Sequence, residues 1–242
     1  DTKYGLVPNG YSGYDNRPLY NSVDASLLLF EQVKKYLKYT NDYEFVKERI
    51  YKVLIKIIEA YITGIDVDGN NIHLDSDFLL SSGTPNIQNT WMDAKVGDYV
   101  VTPRNGKAVE VNSLWYNALM IMASLTDLYN DKDLSKKYSE YAEKCKESFN
   151  TKFYNKKKKS LYDVLDDDKV RPNQLFALSL TYPIIDPASD LANEIFNTVT
   201  KKLLLPKGLR TLAPDEENYV GIYKGGVYER DTSYHQGITW PW

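Results

Sequence analysis

The chain predicts an all-α domain built as a ring of helical hairpins, an α/α toroid, of which only part is present. Three observations predict it. Helical periodicity dominates the 242 residues. Polar clusters crowd the start of every other helix, while the helices between them are ordinary amphipathic ones. A closed six-hairpin ring needs about twelve helices at about 11–12 residues each, more than this length holds.

The first helix spans 24–39 and puts Leu27, Leu28, Phe30, Val33 and Leu37 on one side. The second, 43–63, repeats the stripe with Phe45, Val46, Ile50, Leu54, Ile57, Ile58 and Tyr61. Between 61 and 80, Asp68-Gly69 followed by Ile72-His73-Leu74 reads as a short β-hairpin with an Asp-Gly turn. Further helices read as 108–129, 133–150, 172–181 and 188–203, the 172–181 helix opening with Pro172 near its first position. Lys156–Lys159 and Asp166–Asp168 read as solvated turns. Cys145 shares a stripe with Tyr138, Ala142 and Phe149 and belongs to the core, and Trp115 is expected there too.

The polar clusters are Asn21 and Asp24; Thr102 to Glu110; Arg171, Asn173 and Gln174; and Arg230, Asp231, His235 and Gln236. Inner helices of a hairpin ring would point their N-termini at one mouth, where unpaired backbone N–H groups favour oxygen ligands. An arginine, carboxylates, amides and aromatic rings together suit a neutral, hydroxyl-rich ligand better than a phosphate or a metal.

Composition narrows the partners. With Lys+Arg 30 against Asp+Glu 33 there is no basic excess to neutralise a phosphate backbone, so nucleic acid is not expected. No apolar run approaches about 20 residues, so no membrane span is expected. A single cysteine, no Asn-x-Ser/Thr sequon and a first stretch unlike a signal peptide point to the cytoplasm. His73, His235 and Cys145 cannot build a zinc site of usual spacing, and Asp66–Asn70 has its glycine misplaced for a calcium loop; no metal is expected.

Asp93 reads two ways. As a turn or cap residue it would be structural. Set between Trp91, Met92 and Ala94 and shielded from water, its carboxyl would have a raised pKa and could donate a proton near neutral pH. Glu110 could complement its helix dipole or face the mouth, with Asn117 two turns on along the same polar strip. Trp91 and Trp240 flank polar clusters and suit stacking on a sugar face. His235, one turn after Asp231, could be an oriented imidazole or a structural hydrogen bond.

Seven ordered motifs resemble the glucosidase (amylo-α-1,6-glucosidase) domain of bacterial- and archaeal-type glycogen debranching enzymes. They are Tyr20-Asn21-Ser22-Val23-Asp24-Ala25-Ser26-Leu27, Thr90-Trp91-Met92-Asp93-Ala94, Thr102-Pro103-Arg104 through Glu110, Leu114-Trp115-Tyr116-Asn117-Ala118-Leu119, Arg171-Pro172-Asn173-Gln174, Gly208-Leu209-Arg210-Thr211-Leu212, and Tyr234-His235-Gln236-Gly237 with Trp240-Pro241-Trp242. The resemblance runs from Gly5 to the last residue. It implies an (α/α)6 toroid similar to glucoamylase, lacking here its first hairpin and C-terminal helices, and hydrolysis of α-1,6-glucosidic branch linkages in a branched α-glucan such as a glycogen limit dextrin. Inversion at the anomeric carbon and no cofactor are implied as well.

By motif match Asp93 would be the general acid. Asp24, Arg104, Glu110, Asn173, Gln174, Arg230, Asp231, His235 and Gln236 would bind the sugar, with Trp91 and Trp240 stacking on it. An inverting glycosidase needs a second carboxyl about 6.5–9.5 Å away. The resemblance implies a Glu beyond Trp242; Glu110, Glu229 and Asp231 are the stand-ins within the chain. Two other readings stand beside this one: a glucan-binding fragment without turnover, and another toroid enzyme such as a trehalase or sugar epimerase, the latter expected to carry more histidines. An open ring would expose apolar inner surface and favour self-association.

Overall fold

A computed structural model describes residues 2–241. Trp242, which closes the aromatic segment of the last motif, lies outside the described residues, as does Asp1.

Helix α1 (Asp24–Thr40) starts behind Ser22, whose Oγ accepts the Ala25 N–H at 3.1 Å, and ends at Asn41 in the left-handed conformation. Its buried stripe is Leu27, Phe30, Val33 and Leu37. The expected 43–63 helix forms as one run with a π-turn inside it: α2 (Tyr43–Phe45), capped by Asp42, then Val46–Ile50, then α3 (Tyr51–Thr63). Helix α4 (Val109–Leu128) buries 16 of its 20 residues, whereas α5 (Lys132–Lys152) buries only Tyr138, Ala142, Cys145 and Phe149. A helix buried all round lies inside and a helix with a single apolar stripe lies outside. Accordingly α4 packs against α1, α3, α5 and α6.

The expected 172–181 helix is shorter: a 3-10 turn, Pro172–Leu175, runs into α6 (Phe176–Ser179) and stops where Leu180 turns extended. Helix α7 (Asp190–Leu203), capped by the Ser189 hydroxyl, packs on the 3-10 turn. Helix α8 (Val227–Ser233) is one the periodicity does not mark, since only Ser233 of its seven residues is buried.

The fold is helical, as expected, with more small sheets than the one expected hairpin. Besides the expected hairpin there are pairs Gly10–Tyr11 with Pro18–Leu19, Lys95–Val96 with Tyr99–Val100, and Tyr154–Asn155 with Ser160–Leu161. A three-stranded sheet joins Leu204–Leu205, Gly208–Arg210 and Thr239–Trp240. Strands of two or three residues are too short to leave an alternating pattern, which is why sequence periodicity misses them. In the expected hairpin, Asp68 and Gly69 both have positive φ and Ile65 bridges Ile72; His73–Leu74 then pairs with Leu80–Ser81. The Lys156–Lys159 run forms the tip of the 154–161 hairpin.

Gly208 is the glycine on which the site depends most. At φ 149° a Cβ there would lie 2.0 Å from the Trp240 carbonyl oxygen, so the strand carrying Trp240 can approach only a glycine. Trp115 and Cys145 are fully buried, and Trp115 stacks on Tyr61 at 6.2 Å. Asn117 does not lead into the mouth. Its amide donates to Glu31 at 3.0 Å and accepts the Tyr182 N–H at 2.9 Å, tying α1 to α4 and to the segment after α6.

Candidate active site

The N-terminal parts of α1, α4 and α6 meet around one cavity of about 210 Å³. Asp24 and Leu28 of α1, Glu110 and Leu114 of α4, Phe176 of α6, Trp91, Trp240 and Pro241 line it. That is roughly the room of seven waters at about 30 Å³ each, below the range of about 300–1,000 Å³ typical of drug-sized ligands. A space of that size suits one ring rather than an oligomer. Leu28, Leu114 and Phe176 are apolar members that the polar clusters do not reveal.

Asp24 is buried. Trp91 donates its backbone N–H to Oδ2 at 2.9 Å, and the Ser22 hydroxyl donates to Oδ1. Burial pushes its carboxyl above the ordinary Asp range, against those hydrogen bonds. Asp93 is accessible to solvent, not walled in as its neighbours suggest, because Met92 turns inward and is fully buried. Crowding by surrounding protein, and then the negative charge of Asp24, still raise the Asp93 carboxyl. Two carboxyls with raised pKa values thus lie within electrostatic reach of each other, Asp24 in the cavity wall and Asp93 outside its lining.

Arg104 and Glu110 form the cavity's frame. Arg104 donates to both Glu110 oxygens at 2.5 and 2.6 Å, to Asp163 Oδ2 at 2.7 Å and to the Thr90 hydroxyl at 2.9 Å. Burial alone would favour a neutral guanidinium, but Asp163 and Glu110 hold it firmly protonated. With its fork engaged and its side chain closed to solvent, Arg104 has no donor turned to the cavity. Asp163, which no sequence pattern singles out, is the hub. It also accepts the Asn173 amide at 2.8 Å and lies 3.6 Å from Arg171 Nε. Its place inside the run Leu161-Tyr162-Asp163-Val164-Leu165 is the one available signal, an acid set among apolar residues.

The amides expected to meet hydroxyls are engaged in structure. Asn173 accepts the Trp91 indole N–H at 2.8 Å, fixing that ring. Gln174 accepts the Leu161 N–H at 3.0 Å and donates to the Arg171 carbonyl. Gln236 donates to the Val101 carbonyl and accepts from Arg171. His235 is buried beside Trp91, at 4.7 Å edge to face, and stacks on Trp240 at 5.6 Å. Its Nδ1 has no hydrogen-bond partner among the described residues, so Asp231 does not orient the ring. Burial, then the charges of Arg171 and Arg104, lower its pKa to about 3, and it stays neutral. Arg230 and Asp231, on partly exposed α8, do not line the cavity. The Trp91 and Trp240 rings meet edge to face at 5.8 Å and both face it.

Among the described residues no group of three or more His, Cys, Asp or Glu could hold a metal ion, and no helix is long and apolar enough to cross a membrane.

The family model for amylo-alpha-1,6-glucosidase matches residues 1–242. The glycogen debranching enzyme of Saccharomyces cerevisiae is 24% identical over an alignment covering 99% of this chain and 21% of the yeast protein. Two solved structures share the fold. A sialidase gives a TM-score of 0.63 at 14% identity, over 96% of this chain and 20% of its own. A GH78 family rhamnosidase of Bacillus sp. GL1 gives 0.56 at 15%, over 74% and 17%. The chain therefore spans about a fifth of the length of each of these relatives.

Proposed function

The chain belongs to the amylo-alpha-1,6-glucosidase family, and on that premise we propose that its central cavity takes the single glucosyl residue α-1,6-linked at a branch point of a glycogen-type limit dextrin. The carrying observation is the convergence of α1, α4 and α6 on a one-ring cavity with two indoles in its wall; Asp93, two residues on from Trp91 and raised in part by the charge of the wall residue Asp24, is the proton donor we place beside it. Trp91 and Trp240 offer flat apolar faces to a sugar ring. Asp24 sits in the wall as a buried acceptor for a hydroxyl. The family match favours this reading over a trehalase or an epimerase.

In the parent reaction Asp93 protonates the leaving glucosidic oxygen, and a water attacks the anomeric carbon from the opposite face with inversion. Protonated Asp93 suits that role because both its crowding and the Asp24 charge favour the neutral acid. The water needs a second carboxylate. Both Glu110 oxygens are held by Arg104, and the exposed Glu229 sits over Gly225 and Gly226, away from the cavity. We therefore place the base outside the described residues, as the resemblance implies, and expect this chain alone to bind glucan with little or no turnover. The complete (α/α)6 ring and a cytoplasmic location belong to the same reading; the buried lone Cys145 supports the latter.

The test pairs two measurements on one chain: binding of a glycogen limit dextrin, and glucose release from it. Binding that Trp240→Ala weakens by about two- to tenfold, without release, is the expected result. Release that Asp93→Asn abolishes would put the base inside the chain, and release that survives Asp93→Asn would remove Asp93 as the acid. Absence of binding overturns the reading.

A further inference from the structure

A second cleft, of about 450 Å³, has a lining that shares no residue with the central cavity. Tyr99, Val101, Pro103, Lys169, Tyr219 and Gln236 line it, drawn from four segments far apart in sequence. Trp91 faces the central cavity while Val101 and Pro103 face this cleft. Along the C-terminal segment, Gln236 faces the cleft and Trp240 the cavity. One double partition therefore separates the two spaces.

The cleft is a built feature. Gln236 Nε2 donates to the Val101 carbonyl at 2.5 Å and the Thr102 hydroxyl at 3.2 Å, and its Oε1 accepts from Arg171 at 3.3 Å. The Gln236 carbonyl accepts the Val220 N–H at 2.6 Å. Four segments far apart in sequence are thereby cross-linked around one space, so a ligand entering it orders little that is not already ordered.

Its chemistry does not favour an anion. Lys169 is paired with Asp167 at 3.0 Å, and the Arg171 guanidinium donates to the carbonyls of Thr211 and His235 and lies 3.6 Å from Asp163, so both wall cations already face acceptors within the protein. What remains is neutral and two-faced: tyrosine rings, proline and valine against amide and hydroxyl groups. That is the surface a neutral sugar ring wants, with an apolar face to stack and hydroxyls at its rim. At about 450 Å³ against about 210 Å³, the cleft holds roughly two rings where the cavity holds one.

We propose that the Tyr99–Tyr219 cleft is an auxiliary binding site for a two-ring stretch of unbranched α-glucan, so that the chain grips a neighbouring segment of the polymer while its central cavity takes the branch glucose. The identity of the ligand rests on the glucan reading of the central cavity.

The test is calorimetric titration of the full chain with maltotriose, an unbranched trisaccharide, in wild type and in Tyr99→Ala, Tyr99→Phe, Tyr219→Ala and Trp240→Ala. Expected is two- to tenfold weaker binding in Tyr99→Ala and Tyr219→Ala, and wild-type binding in Tyr99→Phe. Tyr99 is exposed on a hairpin strand, so its replacement leaves the fold intact even if Tyr219→Ala loosens the strap, the irregular segment 214–226 before α8. Binding unchanged by Tyr99→Ala but lost in Trp240→Ala overturns the cleft and keeps the central reading. Binding weakened by Tyr99→Ala yet unmoved by Trp240→Ala supports the cleft, and the central reading then stands or falls on limit-dextrin binding in Trp240→Ala. No binding of maltotriose at all overturns the cleft.

Discussion

Arg104 and Glu110 meet fork to fork, Nη1 to Oε1 at 2.5 Å and Nη2 to Oε2 at 2.6 Å, with both side chains closed to solvent. They are joined across only six residues, from the loop before α4 to its first turn. Asp163 completes the neutralisation from a third segment. The pair fixes where the first turn of α4 stands relative to Trp91, and so sets one edge of the cavity.

Replacing one member leaves a charge buried with too few partners. Glu110→Ala is expected to cost about 3–5 kcal/mol of folding stability, the usual price of breaking a buried ion pair from one side. Urea denaturation followed by far-UV circular dichroism measures it. A variant with the wild-type midpoint and lost glucan binding would return Glu110 to the role of a ligand contact.

Asp24 raises the Asp93 carboxyl by its charge. Asp24→Asn keeps an oxygen to accept the Trp91 N–H while removing that charge. Asp93 is then expected to titrate at a lower pH than in wild type, read from the side-chain carboxyl carbon by NMR. An unmoved titration curve would show that crowding alone sets the value and that the two carboxyls do not communicate.

His235 gives the fold a pH dependence of definite sign. The buried ring stays neutral down to about pH 3, whereas an unfolded chain protonates it near the ordinary value of about 6.5. Its contribution is complete above about pH 7 and is lost as pH falls through 6.5 toward 3, at up to about 1.4 kcal/mol per unit. Between pH 7 and pH 5 this amounts to about 2 kcal/mol. The raised carboxyls of Asp24 and Asp93 act in the opposite sense, so the comparison that isolates the ring is with His235→Asn, a residue that tolerates the φ of 63° found here. The variant is expected to lose less stability than wild type over the same interval.

Five of the exposed apolar side chains, Val220, Ile222, Tyr223, Val227 and Tyr228, lie together on the strap and α8, whereas α4 exposes only one such side chain, Leu128, at its C-terminal end. Self-association, if it runs through apolar surface, is therefore expected to use that strap. Sedimentation velocity should show a concentration-dependent shift that Ile222→Ser with Tyr228→Ser reduces; a shift that the double variant leaves unchanged would exclude the strap.

Long amphipathic helices were legible because each carries several turns of one stripe: Leu27, Phe30, Val33 and Leu37 in α1, and Tyr138, Ala142, Cys145 and Phe149 in α5. The meeting of α1, α4 and α6 at one mouth was legible as well, through polar residues at alternate helix starts. Which of those residues face a ligand was not. Arg104, Asn173 and Gln174 are of the types that bind hydroxyls, but each is saturated by a partner distant in sequence, such as Asp163 for Arg104. Spacing along a chain does not carry that information. Asp93 shows the converse: its neighbours in sequence suggest a desolvated pocket, while Met92 points away from it into the core.

Asn173 stands between the frame and the sugar-facing wall. Its Oδ1 accepts the Trp91 indole N–H at 2.8 Å, and its Nδ2 donates to Asp163 at 2.8 Å. Asn173→Ala removes both bonds: Asp163 Oδ1 keeps its bond from Arg104 Nη2 at 3.2 Å, while the half-buried indole N–H loses this acceptor, at a cost of about 1–3 kcal/mol. Stability alone does not reveal whether the residue also positions the ring. The separating measurement is Trp91 fluorescence in a background where the other tryptophans are replaced by phenylalanine, recorded with limit-dextrin binding. If Asn173 holds the indole in the cavity wall, the emission shifts and binding weakens together. Asn173→Asp, which keeps the acceptor for the indole but sets a second carboxylate against Asp163, is then expected to destabilise the fold while retaining the emission of the unsubstituted site. Emission that is the same in both variants as in the parent would show that Trp91 is placed by packing, chiefly against His235, instead.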